Sequence, residues 1–269
     1  MSEKTHKLET LDLIQNRKSI RAYSKKELTP EEINTIIYGA MRAPTAGNMM
    51  LYSILEVTDQ KMKDKLAITC DNQPFIAKAP LVLIFLADMQ RWWDYFEISK
   101  TPKLCSKLKI EFESPQESDL LLACCDALIA AQNAVITAEA LGIGSCYIGD
   151  IMENYEIHRE MFNLPKWTFP ITMICFGHPK GNKENISLSS RFPQKYIHFT
   201  NKYKRLNKED FADMFSNNKR KIGMKHAKNL GQEIYLAKLG ADFSIEMRRS
   251  VKAALKEWTS GKINENLEG

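Results

Sequence analysis

The sequence predicts an α+β protein in which helices flank a mainly antiparallel central sheet. Three observations point there. Helical and strand-like segments mix through the first 200 residues without a regular βαβ repeat, short apolar runs bounded by turn residues read as strands, and one long segment is apolar nearly all round.

The elements follow in chain order. Residues 8–16 have helical spacing, as do residues 29–42, which open with Thr29-Pro30-Glu31-Glu32, an N-cap, a proline at the first helical position and two early acids. Residues 51–58 and 80–87 are short, apolar and rich in strand formers. The second, with Leu-Val-Leu-Ile-Phe-Leu at 81–86, has no polar face and so belongs at the centre of a sheet. Residues 118–141 form the longest periodic segment, with Ser118 as cap and Gly142 as stop, and their apolar residues predict a helix buried on most sides, in the core or at a subunit interface. Residues 144–149 and 170–177 read as buried strands, each ending at a glycine turn. Residues 242–258 read as a capped amphipathic helix.

Size and composition bound the function classes. A chain of 269 residues with 44% hydrophobic content can bury one large domain, or one domain plus an appendage. The longest uninterrupted apolar run, residues 79–87, falls short of the roughly 20 residues that span a bilayer. The opening MSEKTHKLET has no apolar core of the kind a secretory leader needs. The six cysteines include no Cys-x-x-Cys, which argues against a zinc site or disulfide framework and for a reduced, cytoplasmic protein. The net charge of +5 comes from residues 201–269, with 15 Lys/Arg against 9 Asp/Glu. Acids and aromatics interrupt that basic stretch, so it reads as packed helices with solvated faces rather than a nucleic-acid arm.

Motif spacing excludes several mechanisms. Gly142-x-Gly144 lacks the third glycine of a dinucleotide fingerprint, and there is neither a phosphate-binding Gly-x-x-x-x-Gly-Lys loop nor a Gly-x-Ser-x-Gly elbow. The five histidines lie at intervals unlike a local metal set, so no metal centre or hydrolytic machinery is expected. Arg17, Ser19 and Arg21, at alternate positions of an extended segment, share one face and can converge on an anion or a polarised carbonyl. An exposed basic turn is the other reading of that motif.

Four pieces in order carry a family resemblance: Arg17-Lys18-Ser19-Ile20-Arg21; Ala43-Pro44-Thr45-Ala46-Gly47-Asn48; residues 138–149, AEALGIGSCYIG; and Gly177-His178-Pro179 leading to Ser190-Arg191-Phe192-Pro193. With this order and spacing over residues 8–200, the chain resembles the FMN-dependent nitroreductase family, in its larger NADPH-preferring, oxygen-insensitive branch of nitroreductases and flavin reductases. The resemblance implies an FMN-binding domain over residues 1–200, a helical extension over 201–269 packed on the core or on a partner subunit, and an intertwined homodimer with FMN at the subunit interface.

It also implies roles for particular residues. Arg17 and Ser19 hold the FMN phosphate with help from Arg191, and Lys18 lies between them. Arg21 faces the pyrimidine edge, where a cation offsets negative charge developing on reduction. Thr45, Ala46, Gly47 and Asn48 form a loop of small residues against the flavin, or else an ordinary helix-to-strand turn. Gln73 matches a glutamine on the isoalloxazine, and the backbone of Tyr147, Ile148 and Gly149 lies along the ring near N5, although Tyr147 reads equally well as core packing. Ser189 stands where relatives often carry a lysine, which loosens the expected preference for NADPH over NADH. Asp150 stands where a small neutral residue is common.

The implied activity is NAD(P)H oxidation by ping-pong hydride transfer through flavin N5, with nitroaromatics, quinones or flavins as small-molecule acceptors. A flavin-binding sensor or storage protein, or a specialised flavin enzyme such as a reductive dehalogenase, would use the same fold. Neither a nucleic acid nor a membrane is an expected partner.

Overall fold

The computed structural model describes residues 2–182, 185–216 and 222–260, with side chains from residue 9 onward. The elements are α1 (Ser2–Asn16), α2 (Pro30–Met41), β1 (Tyr52–Glu56), α3 (Gln60–Thr69), β2 (Leu81–Asp88), α4 (Gln90–Ile98), α5 (Thr101–Leu108), α6 (Glu117–Ala140), β3 (Gly144–Ile148), α7 (Tyr155–Met161), β4 (Thr168–Gly177), α8 (Lys208–Met214), α9 (Leu230–Ile234) and α10 (Asp242–Trp258). The chain divides into two compact units, one containing the described residues up to 185 together with those from 242 onward, the other residues 186–241. Helix α10 belongs to the first unit.

The four strands run in the order β1-β2-β4-β3, with every neighbouring pair antiparallel. All eight residues of β2 are buried, as its apolar sequence requires. Leu81, Leu83 and Phe85 join Ile174 and Phe176 against Ile36 and Ala40 of α2 and the alanines of α6. Val82, Ile84 and Leu86 point the other way, with Met173 and Cys175, toward Leu66 and Ala67 of α3. Each such side chain contributes about 1.5–3 kcal/mol on leaving water, so helices on both faces are what keep the central strands in place.

Helix α2 begins with the expected cap: Glu32 N donates to Thr29 Oγ1 at 3.1 Å, and Thr29 N donates to Glu32 Oε2 at 2.7 Å. The cap of α6 lies at Gln116, whose backbone N–H donates to Asp119 Oδ2 at 2.8 Å, rather than at Ser118. A run of alanines on α6 and Gly39 on α2 bring the two helices close; a Cβ at Gly39 would stand 2.1 Å from Thr137 Oγ1.

Helix α6 is buried on one face rather than on most sides. Leu121 is 67% exposed, and Leu122, Cys125, Leu128 and Ile129 are exposed with it. At 24 residues, with mean hydropathy 1.7 over its best window, α6 is long and apolar enough to cross a membrane. Asp126, Gln132 and Asn133 interrupt the apolar run, although the helix's mean hydropathy stays high enough to span.

Three helices fall in residues 59–79 and 88–117, where the sequence pattern marked no element. In α3 only Leu66 and Ala67 are buried, too few to make a readable stripe, although Asp59 caps it by accepting from Met62 N at 2.9 Å. The short α4 and α5 are joined by Lys100 in the left-handed region, a change of direction that hydrophobic periodicity cannot register. Helix α10 packs on its own chain. Ser250 Oγ donates to Met152 O at 2.7 Å, Trp258 Nε1 donates to Gln116 O at 3.0 Å, and Arg249 grips Glu156 with two 2.8 Å bonds. In the second unit, Lys195 and the Tyr196 hydroxyl both engage Asp213 at the end of α8.

After α1 the chain runs extended along the outer edge of β3: Ile20 N donates to Ser145 O at 2.8 Å, and Ser19 bridges Ser145 in parallel. Farther on, Ser24 N donates to His178 O and Lys180 N to Ala22 O. Two glycines make room, since a Cβ at Gly144 would lie 2.4 Å from Ile20 Cγ1 and one at Gly177 2.6 Å from Tyr23 Cδ1. Gly144→Ala should therefore displace Ile20 and lower stability by about 1–3 kcal/mol, measured by denaturant titration; an unchanged midpoint would show that this approach is not tight.

Candidate functional site

The edge pairing fixes which side chains of residues 17–21 meet β3. Ile20 is 1% exposed and anchors the segment, while Arg17 and Ser19 are half-buried and Arg21 is exposed. Arg21 and Arg17 both act electrostatically on the Cys146 thiol, and Arg17 acts on Tyr147 as well. Burial pushes the Tyr147 phenol up to about 12 against the pull of Arg17. It raises the Cys146 thiol as well, so two guanidiniums face neutral side chains.

Arg17 Nη1 is buried and has no hydrogen-bond partner. Leaving a buried donor of a charged group unsatisfied costs about 1–3 kcal/mol or more, a cost that an anionic ligand would remove. The residues therefore fit a phosphate-bearing cofactor such as FMN: a half-buried Arg17 whose buried Nη1 is idle, with the Ser19 hydroxyl and the Arg21 guanidinium two and four residues farther on.

The turn after β3 carries the next two positions. Gln73 Nε2 donates to Asp150 Oδ2 at 2.8 Å and to Cys70 O at 3.0 Å, which ties the loop after α3 to the residue following Gly149. A Cβ built at Gly149 meets nothing within 4 Å, so this backbone is open to a planar ligand. Tyr147 Oη donates to Gln132 Oε1 of α6 at 3.2 Å, which gives it a structural contact as well.

Residues 45–48 form a separate group. Gly47, Asn48 and Met50 all have positive φ, a run of left-handed backbone that costs a non-glycine residue about 1 kcal/mol or more and needs outside support. Asp126 of α6 supplies it. Its carboxylate accepts from the Thr45 hydroxyl, from Ala46 N at 3.0 Å and from Leu51 N at 3.1 Å. No hydrogen bond or ion pair among the described residues joins 45–48 to Arg17, Ser19, Arg21, Gln73 or 147–149. Ser189 and Arg191 lie in the second unit, where the exposed Arg191 donates through Nη1 to Ser189 O at 3.1 Å.

Two acids escaped the sequence reading. Asp126 was legible in principle, since a carboxylate amid the apolar residues of a core helix must find donors. Glu153 left no such trace. It is 4% exposed, its Oε1 has no partner, and burial first, then the nearby Asp150 charge, push its carboxyl up to about 8.

The nitroreductase family model matches residues 14–178, more than half the chain. The chain belongs to the nitroreductase family. Among relatives, it is 32% identical over 203 residues to an FMN reductase (NADPH) of Bacillus subtilis, covering 75% of this chain and 77% of the relative. It is 30% identical to an NADPH-dependent oxidoreductase of Staphylococcus saprophyticus, covering 71% and 73%. Among solved structures, an oxidoreductase from Bacteroides fragilis superposes with a TM-score of 0.78 at 27% identity, covering 92% of this chain and 98% of that one. The NfrA1 nitroreductase of B. subtilis gives 0.72 at 26%, covering 91% and 98%. The α+β nitroreductase fold expected from the sequence is thus the fold observed.

The Asp126 anchor is open to test. Asp126→Asn turns one acceptor oxygen into a donor facing N–H and O–H groups, and should cost about 1–3 kcal/mol while speeding hydrogen exchange at the Ala46 and Leu51 amides. Unaltered exchange at both would remove Asp126 as the anchor.

Proposed function

We propose that this nitroreductase-family chain is an FMN-dependent NAD(P)H oxidoreductase that reduces small nitroaromatic, quinone or flavin-type acceptors, and that it works as a homodimer. The buried, unpartnered Nη1 of Arg17, two residues before Ser19, carries the reading, in a chain whose relatives are named as FMN reductases and NADPH-dependent oxidoreductases. When bound, FMN would supply the redox chemistry, exchanging a hydride with NADPH or NADH and two electrons with the acceptor.

The chain's own residues bind and orient. Arg17 and Ser19 hold the phosphate, with Lys18 adjacent, and Arg21 places a cation where negative charge develops on the flavin. Gln73 contributes its amide oxygen to the ring, and the open backbone at Gly149 admits its face. No acid or base has to act directly on the acceptor.

The separation of residues 45–48 from the rest of the site on one chain favours a site completed by a second copy. Leu121, Leu122, Leu128 and Ile129, exposed along α6, form an apolar face suited to that pairing.

Three measurements check this reading. Purified protein should carry yellow FMN that bleaches on anaerobic addition of NADPH or NADH and returns with a quinone; colourless protein that cannot take up FMN would overturn it. Arg17→Ala should weaken FMN retention at least tenfold, whereas Arg21→Ala should slow reduction more than retention, and equal losses of FMN with unchanged turnover per bound flavin would refute the division of roles. For the dimer, Leu121→Asp with Ile129→Asp should yield monomers in sedimentation; wild-type protein that sediments as a monomer at micromolar concentration would exclude the pairing.

A further inference from the structure

The 3-10 turn Gly149–Met152 carries Asp150 near its start and is followed by Glu153, two acids with no assigned role. Glu153 N donates to Asp150 O at 3.0 Å, which sets the two acids beside each other, and the buried Glu153 Oε1 has no hydrogen-bond partner; burial and the nearby Asp150 charge favour the protonated Glu153. Asp150 in turn accepts from Gln73, whose two amide hydrogens are thereby used on Asp150 and Cys70 O. Gln73 is left with only its carbonyl oxygen to offer a ligand.

We propose that Glu153 is a positioning residue for the flavin site: as a neutral acid it donates to Asp150, Asp150 fixes the orientation of the Gln73 amide, and loss of the Glu153 proton slackens that hold. The inference rests on the FMN reading of this site. Its surroundings favour the neutral acid. Asp71 after α3 and Glu246 of α10 add negative charge, and Glu246 already accepts from Asn154 N at 3.2 Å and from Arg249. Arg249 is committed to Glu246 and to Glu156 of α7, which it holds near 2, so it does not neutralise Glu153. On α7, His158 is buried and its charged form is disfavoured; β4 contributes only the Cys175 thiol as a titratable group, and burial raises it. Ionising Glu153 would set two carboxylates against each other in a site with no free cation among these groups, and the pair would relax by parting.

The test compares wild type with Glu153→Gln, whose amide can still donate to Asp150 but cannot ionise. FMN dissociation constants are measured by flavin fluorescence from pH 6.5 to 9.5. Wild type should bind about tenfold more weakly at the upper end, as a one-unit shift of one group on binding requires, and Glu153→Gln should lack that change. Ionisations of FMN itself are common to both proteins and cancel in the ratio. A second variant, Asp150→Asn, removes the like charge and should move the wild-type step to lower pH.

Stability without added FMN gives an independent readout. Glu153 ionises near about 4.3 in the unfolded chain and near about 8 when folded. Wild type should therefore lose stability relative to Glu153→Gln as pH rises from 5 to 8, with a constant gap above. FMN binding with the same pH profile in wild type and Glu153→Gln would overturn the inference alone. Absence of FMN binding at every pH would overturn the flavin reading and this inference with it.

Discussion

The close seating of residues 17–24 on the edge of β3 is the contact on which the rest of the site depends. Gly144 and Gly177 leave out side chains that would collide with Ile20 and Tyr23, so the extended segment can hydrogen-bond to Ser145 and lie flat against the sheet. Once Ile20 is buried, strand alternation fixes where its neighbours go, and Ser19 and Arg21 flank the anchor with Arg17 behind them. A cation-rich edge made this way costs little conformational entropy at binding, because backbone bonds and packing have already ordered it.

The core explains why that edge is available. β2 and β4 are buried on both faces and occupy the middle of the sheet, so β1 and β3 are left outside with backbone groups to satisfy. Residues 17–24 take up part of that demand at β3. Helix α6 serves both sides of the design. Its alanine face packs under α2 and the sheet, Asp126 stiffens the left-handed loop at 47–50, and Leu121 and Ile129 face outward. A helix whose second apolar face is unfilled by its own chain is suited to self-association.

Charge is distributed with similar economy. Arg17 Nη1 is buried without a hydrogen-bond partner, while Arg249, on α10, is saturated by two glutamates. The contrast separates a cation held ready for a ligand from one spent on docking a helix. Around Asp150 and Glu153 the balance is reversed, with several carboxylates and no idle cation, so a proton has to take the cation's place.

Much of this was written in local sequence. The capped start of α2, the wholly apolar β2, the glycine stops after α6 and β4, and the alternation of Arg17, Ser19 and Arg21 depend on nearest-neighbour chemistry, and each reads directly from the chain. The short α3, α4 and α5 did not, since they bury too few side chains to show a period. Nor could the sequence say that Asp126 reaches back 80 positions to Ala46, that Glu153 is buried against Asp150, or that α10 returns to Gln116 and Met152. Those outcomes rest on burial and on charges brought together from distant positions, and both are properties of the packed chain; sequence alone supplies the groups, while tertiary structure decides which of them lose their water.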